Sequence, residues 1–135
     1  MHKVSYLFLI LITFCSCQEK KSNVPDQVYK YWSGDIPPKE IHLVHGRYWQ
    51  SSHWSREYIM YIELEAPAEW RANFIFQNHL VQIKSEDMPP PDPDIPEWFN
   101  PSGKSKIWLP VGPNQGSIYF EDSANNKMYL HEVQL

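Results

Sequence analysis

The chain is poor in cysteine and in glycine. Both cysteines, Cys15 and Cys17, lie within the first 17 of 135 residues, so the rest of the chain has no thiol for a disulfide or for nucleophilic catalysis. The five glycines are scattered and form no phosphate-cradling loop. A G-x-S-x-G nucleophile elbow is also missing. These absences disfavour a disulfide scaffold, a nucleotide-binding loop and a nucleophile elbow of the hydrolase type.

Positive charge is sparse as well. Lys and Arg number 12 against 16 Asp and Glu, which gives a formal net charge of −4. No basic stripe runs along the sequence, so the electrostatic footprint of a nucleic-acid binder is missing and no nucleic-acid partner is expected. Aromatic residues are abundant at 15%, and a hydrophobic content of 42% is ordinary for a folded chain. The length predicts one domain.

The longest apolar stretch, residues 4–14, follows Lys3 and ends shortly before a polar segment. At about 1.5 Å per helical residue it is too short to cross about 30 Å of hydrocarbon. A basic residue, a short apolar run and small residues after it are typical of a secretory signal. A buried amino-terminal helix is the alternative, but it does not explain the abrupt change to polar residues after Cys17.

Ser16-Cys17 places a small residue directly before a cysteine. In this the stretch resembles the lipobox of bacterial lipoproteins. The resemblance implies that residues 1–16 are a signal peptide and that Cys17 is acylated, with palmitate-type chains that anchor the protein in the lipid membrane of the bacterial envelope. Cys15 is a rival acceptor, but the bulky Phe14 before it suits signal cleavage poorly. An ordinary cleaved signal is the other alternative.

The rest of the chain divides into a tether and one domain. Residues 17–27 are predicted to be the lipidated cysteine and a polar tether, and residues 28–135 a single domain. Gln18 occupies the position where enterobacterial lipoproteins carry Asp for retention in the inner membrane. By that resemblance, the outer membrane is favoured in a Gram-negative cell.

Alternation of apolar and polar residues predicts strands. The strands are expected over residues 41–49, 57–65 and 80–84, with a carboxyl-terminal hairpin over residues 117–133. Asn125-Asn126 suits a left-handed turn in that hairpin. Residues 67–78 are predicted to form a helix with one stripe composed of Trp70, Asn73, Phe74 and Gln77.

Eight of the twelve prolines fall within residues 88–113. Proline removes amide donors and fixes φ, so this segment is predicted to be a long extended loop. The order of elements predicts an α+β fold, which is a small, mainly antiparallel β-sheet with one packed helix and a long proline-rich loop.

Side chains able to do chemistry are few. His42 and His45 form an H-x-x-H pair, but in a regular strand they point to opposite faces and cannot share a metal. Glu63 and Glu65 share a strand face, and such a pair can act in glycoside hydrolysis, although a solvated face is the commoner reason for it. Asp92, with the nearby acids of the proline-rich stretch, lacks the pattern of a calcium loop and is expected to aid solubility. No catalytic residue, metal or cofactor is therefore expected.

Aromatic residues are the remaining candidates for a site. The speculative binding residues cluster in two stretches and are Trp49, Trp54, Arg56, Trp98, Phe99 and Trp108. Tryptophan and arginine are enriched at binding hot spots, whereas core packing is the alternative role for large aromatic side chains.

The leading hypothesis is a membrane-anchored envelope lipoprotein with a non-catalytic domain that binds a protein or a surface polymer. One alternative is an immunity- or inhibitor-like lipoprotein that protects against a toxin or hydrolase. The other is an enzyme acting on envelope glycans or peptides through Glu63, Glu65 or the histidines.

Overall fold

The computed structural model of the protein describes residues 18–135. Cys17 and the predicted signal peptide, residues 1–16, lie outside the described residues. The elements in chain order are β1 Lys20–Ser22, α1 Pro25–Ser33, β2 His42–Gln50, β3 Tyr58–Glu65, α2 Ala68–Gln77, β4 Leu80–Ile83, β5 Lys106–Pro110, β6 Ile118–Asp122 and β7 Lys127–Gln134. Among residues 18–135, no helix combines the length and apolarity needed to span a membrane.

The seven strands form one antiparallel sheet in the order β1-β2-β3-β7-β6-β5-β4. The β6–β7 hairpin lies in the middle of this order, and Asn126 at its turn adopts a left-handed backbone with φ 54°. The predicted α+β fold with a mainly antiparallel sheet is confirmed.

One face of the sheet carries the helices. Successive side chains of a strand alternate between faces, so Met60, Ile62 and Leu64 of β3 all point to this side, where each is fully buried. Val28 of α1 and Phe74 of α2 pack into the same cluster. We call this cluster the helix-side core. Burial of each such side chain stabilises the fold by about 1.5–3 kcal/mol.

The other face is covered by the proline-rich segment. Its central cluster contains Tyr61 from β3, Tyr129 from β7 and Phe99 from the segment, all at least nine-tenths buried. We call it the loop-side cluster. Because both faces of the sheet are covered, the strands carry apolar or aromatic side chains at most of their positions.

Two elements differ from the sequence expectation. Residues 20–27, assigned to a tether, contain β1 and the start of α1, so the sheet carries two helices and not one. Pro25 lies at the first turn of α1, where its missing amide has no helical partner to lose. Gly34 ends α1 with φ 78°. Strand β5, within the predicted proline-rich loop, is the other unexpected element.

Helix α2 follows the predicted stripe only in part, since Trp70 and Phe74 pack at the helix-side core. Asn73 and Gln77 are exposed, and the buried residues are Arg71 and Phe74. Arg71 is only 4% exposed, and its guanidinium makes three hydrogen bonds through Nε and Nη1. It donates to Glu121 Oε2 at 3.1 Å, to the Ala66 carbonyl at 2.6 Å and to Asn126 Oδ1 at 3.0 Å. The predicted stripe included the exposed Asn73 and Gln77 and left out this buried arginine.

Candidate functional site

The predicted binding residues do not converge on one site. Trp54 is 97% exposed in the β2–β3 loop. Arg56 in the same loop donates to the carbonyls of Tyr31 and Trp32 at 2.7 and 2.8 Å, so it holds the end of α1. Trp49 lies near the β1 edge of the sheet and donates to Glu19 Oε1 at 2.6 Å. These three side chains have separate surroundings.

The other three candidates are largely packed. Phe99 is 5% exposed at the centre of the loop-side cluster. Trp98 stacks on the His45 ring, with centroids 5.0 Å apart and planes 17° apart. Trp108 packs against the helix-side core on the opposite face, and its Nε1 has no partner within residues 18–135. Core packing therefore describes Phe99 and Trp108, and Trp54 is the one fully exposed aromatic of the six.

A cavity of about 720 Å³ lies between the proline-rich segment and the loop-side face of the sheet. One wall is formed by Met88, Pro89–Pro91, Pro93 and Ile95 of the segment. The opposite wall consists of strand side chains, which are Ile59, Ile107, Ile118, Phe120 and Val133. This volume is in the range of small-molecule sites in proteins.

The composition of the segment explains why the cavity is open. A proline has no amide hydrogen to donate, so residues 89–91 and 93 cannot extend the sheet or form a helix over it. Residues 88–99 cross the sheet face in an extended course, and we call them the strap. Phe99, at the carboxyl end of the strap, inserts into the loop-side cluster.

Tyr61 fastens the middle of the strap. Its hydroxyl donates to Asp92 Oδ2 at 2.9 Å, and the Asp92 carboxylate also accepts the Asp94 amide at 2.8 Å. The Asp94 amide is the main reason that the pKa of Asp92 is lowered. Burial, followed by the bond to Asp92, raises the pKa of Tyr61. Asp92 was expected to serve solubility only, and the structure instead gives it a defined contact.

The Tyr61 ring is flanked by its two cross-strand neighbours, Arg47 on β2 and His131 on β7. The Arg47 guanidinium lies 5.1 Å from the ring centroid, and an Nη2 hydrogen bond joins Arg47 to the Asp94 carbonyl. The His131 ring stacks on Tyr61 with centroids 4.0 Å apart and planes 9° apart. Arg47 on β2 thus binds the strap directly, whereas His131 on β7 packs on the tyrosine that binds it.

His131 is the one polar side chain among the strand residues that line the cavity. It is 5% exposed, and burial lowers its pKa, which favours the neutral ring. Nδ1 lies 3.1 Å from the Met60 carbonyl, an acceptor only, so Nδ1 carries the proton and donates. In the neutral ring Nε2 is then an acceptor. Within residues 18–135, no hydrogen-bond partner of Nε2 is found.

The histidine pair of β2 is not arranged as predicted. The register shifts between Leu43 and His45, so His42 pairs with Glu65 and His45 with Glu63. Paired residues share a face, and the bulge therefore places both histidines on one side of the sheet. The expectation of opposite faces was wrong. No cluster of three or more potential metal ligands occurs among residues 18–135.

Glu63 is the cross-strand partner of His45 and is 4% exposed. Its carboxylate accepts from His45 Nδ1 at 2.7 Å, Lys127 Nζ at 2.8 Å and Tyr129 Oη at 3.2 Å. Burial, the largest single influence, raises the pKa of Glu63, but the hydrogen bonds from Lys127 and His45 outweigh it and lower the pKa overall. The group is an ionised cross-strand tie, poorly suited to donate a proton.

The cavity was missed because its wall residues are ordinary strand side chains and prolines. One signal was available, since the alternation of β7 places His131 on the same face as Tyr129 and Val133. Its contact with residues 88–95 depends on sheet pairing that a single sequence does not encode locally. Comparisons with protein-family models, with curated proteins and with solved structures found no match to this chain.

Proposed function

We propose that the protein is a lipid-anchored lipoprotein of the bacterial envelope whose domain binds a ligand and catalyses no reaction. The observation that carries the proposal is the apolar cavity beneath the proline-rich segment. Concave, mainly apolar sites with a few placed polar groups are typical of ligand binding. Glu63, the best-placed acid for catalysis, supports this reading because three donors hold it ionised.

The anchor proposed at Cys17 constrains the orientation of the domain. Two residues, Gln18 and Glu19, lie between Cys17 and Lys20, the first residue of β1, and the three residue steps span at most about 10 Å when extended. A protein acylated at Cys17 would therefore hold the β1 edge of the sheet close to the lipid surface. The β4 edge, at the other end of the strand order, would face away from it.

Acylation is tested by replacing each cysteine in the full chain. Cells fed an alkyne-bearing palmitate analogue should label the wild-type protein and retain it in the membrane fraction. Cys17→Ser removes the proposed thioether and should abolish the label, whereas Cys15→Ser should keep it because residue 15 is discarded with the signal. The measurement is in-gel fluorescence of both variants beside the wild type. Persistent labelling of Cys17→Ser would contradict the proposal.

The inhibitor-like alternative stays a prediction. Trp54 is the exposed side chain best suited to contact a protein partner, because its ring is 97% accessible on a loop between two paired strands. Aromatic rings of this kind often anchor protein interfaces.

A further inference from the structure

The cavity exposes apolar surface on the side of the proline-rich strap. Met88 is 42% exposed and Ile95 is 39% exposed, although both line the cavity. Exposed aliphatic side chains that face an apolar wall across an open space are covered when a ligand enters that space. The wall opposite is formed by sheet residues such as Ile107 and Ile118, which are already well buried.

The charges of the lining restrict the ligand. Asp92 is the charged side chain of the wall, and its carboxylate already accepts from Tyr61 and from the Asp94 amide. Among the described residues that line the cavity, none is Lys or Arg. An anionic ligand would enter a largely apolar space whose lining contains the Asp92 carboxylate and no cation, which is costly.

His131 restricts the ligand further. Its Nδ1 is committed to the Met60 carbonyl, and Nε2 at the far end of the ring has no partner within residues 18–135. Nε2 is thus an acceptor on a residue that lines the cavity, and a ligand that supplies a hydrogen-bond donor can pair with it. A hydroxyl or an amide N–H satisfies Nε2 without introducing a charge.

We infer that the cavity binds a neutral, predominantly apolar molecule with one hydroxyl or amide donor. Its apolar body lies between the proline-rich strap and the sheet, and its donor binds Nε2 of His131. This inference rests on the proposed binding function and names the ligand class for the same site. It assigns no role to Trp54 or Trp49, which lie outside the cavity lining.

The test uses photolabelling of the full-length protein in membranes with three matched probes, which are dodecanol, dodecanoate and dodecane, each carrying a diazirine in mid-chain. Peptide mass spectrometry maps the labelled residues, so cavity labelling is distinguished from contact with lipid. Dodecanol should label residues 85–107 and 116–135. Dodecanoate should label them about tenfold less, since a charge in an apolar site costs at least that factor. Equal labelling by dodecanol and dodecanoate overturns the inference.

Ser105→Trp tests whether the label lies in the cavity. Ser105 lines the cavity and is only partly exposed, so an indole there fills the space. Dodecanol labelling should fall at least about tenfold, because burial of the apolar chain is lost. Ser52→Trp, at an exposed position of the β2–β3 loop, is the matched control and should label like the wild type. Undiminished labelling of Ser105→Trp contradicts the assignment, and the wild-type probe comparison applies even if this variant fails to fold.

His131→Phe tests the donor. The phenyl ring keeps the stack on Tyr61 and removes Nε2. The preference for dodecanol over dodecane, about two- to tenfold for one hydrogen bond, should disappear while dodecane labelling persists. A preference that survives in His131→Phe refutes the role of Nε2.

The outcomes separate this inference from the proposed function. Acylated protein without cavity labelling refutes the ligand class and leaves the anchor standing. Cavity labelling of a protein that is not acylated supports the ligand class and refutes the anchor. A probe recovered chemically altered would refute the non-catalytic role and retain the site.

Discussion

Glu63 shows how a residue with catalytic appearance can serve the fold. Its carboxylate joins β2 through His45 and β7 through Lys127 and Tyr129, so one side chain ties three strands together. Hydrogen bonds to a charged group contribute about 1.5–3 kcal/mol each, more than bonds between neutral groups. Glu65, two residues later on the same face, is exposed.

Glu63→Gln should make the protein less stable and less sensitive to acid. The pKa of Glu63 is lower in the folded state than in the unfolded chain, so ionised Glu63 stabilises the fold above the unfolded-state pKa of about 4.3. This stabilisation is lost as pH falls through the folded-state pKa. The variant should lose about 1–3 kcal/mol of unfolding free energy at pH 7. Urea unfolding at neutral and acid pH measures both effects.

Glu65→Gln is the matched control, since it removes one carboxylate from the exposed end of the same strand face. It should keep most of the wild-type stability and acid dependence. If Glu63→Gln lost stability in parallel with the wild type on acidification, the ionised tie would be refuted.

At the scale of elements, the contact between α1 and β2 depends on Gly46. A Cβ at this position would lie 3.0 Å from Val28 Cβ and 3.2 Å from Pro25 Cα. The latter is a backbone atom and cannot rotate away. Val28 is fully buried at this contact, so the missing side chain of Gly46 is what lets α1 lie directly on the sheet.

Gly46→Ala should therefore displace α1 and destabilise the fold by about 1–3 kcal/mol, the usual cost of overpacking. Gly103→Ala is the control, because nothing lies within 4 Å of a Cβ there. Its unfolding free energy should stay within about 0.5 kcal/mol of the wild type. Chemical denaturation of the two variants compares them directly, and equal stabilities would argue against close packing at Gly46.

At the scale of the whole molecule, residues 18–135 form one sheet whose two faces are covered differently. Two helices pack on the helix-side core, and the proline-rich strap crosses the other face above the cavity. Helices make their own backbone hydrogen bonds, whereas the strap depends on side chains such as Tyr61 and Phe99 to stay in place. The strap should therefore open at a lower free energy than the sheet.

Tyr61→Phe should loosen the strap without unfolding the sheet, because it removes only the hydroxyl that binds Asp92. Amide exchange at Met88, Asp92 and Ile95 should rise about two- to tenfold, which corresponds to one lost hydrogen bond. Exchange in β7 should be unchanged. Hydrogen–deuterium exchange with mass spectrometry provides the measurement.

Tyr129→Phe is the control for the strap, since the Tyr129 hydroxyl binds Glu63 and not the proline-rich segment. It should leave exchange in residues 88–95 at the wild-type rate. If both variants raised that exchange equally, the proposed role of the Tyr61–Asp92 hydrogen bond in holding the strap would be wrong.

The sequence predicted elements with strong local signals and missed elements that rest on distant contacts. The strand at Tyr58–Glu65 and the turn at Asn126 follow from alternation and from asparagine's tolerance of positive φ. Helix α1 was missed because its sequence is polar, and only Val28 and Tyr29 are buried. The bulge beside His45 was missed because it depends on the register with β3. Of the six predicted site residues, Phe99 alone lines the cavity.

By itself the sequence determined the alternating faces of the strands, the extended course of residues 89–93, where four prolines prevent sheet pairing, and the absence of a thiol after Cys17. These properties follow from steric and chemical rules that act between near neighbours in the chain. Only the tertiary structure decided which face the strap covers, that His131 and Asp92 meet the same tyrosine, and that a cavity remains beneath the prolines. The physical reason is that these contacts join residues 31 to 71 positions apart, whose distance is set by strand order and register.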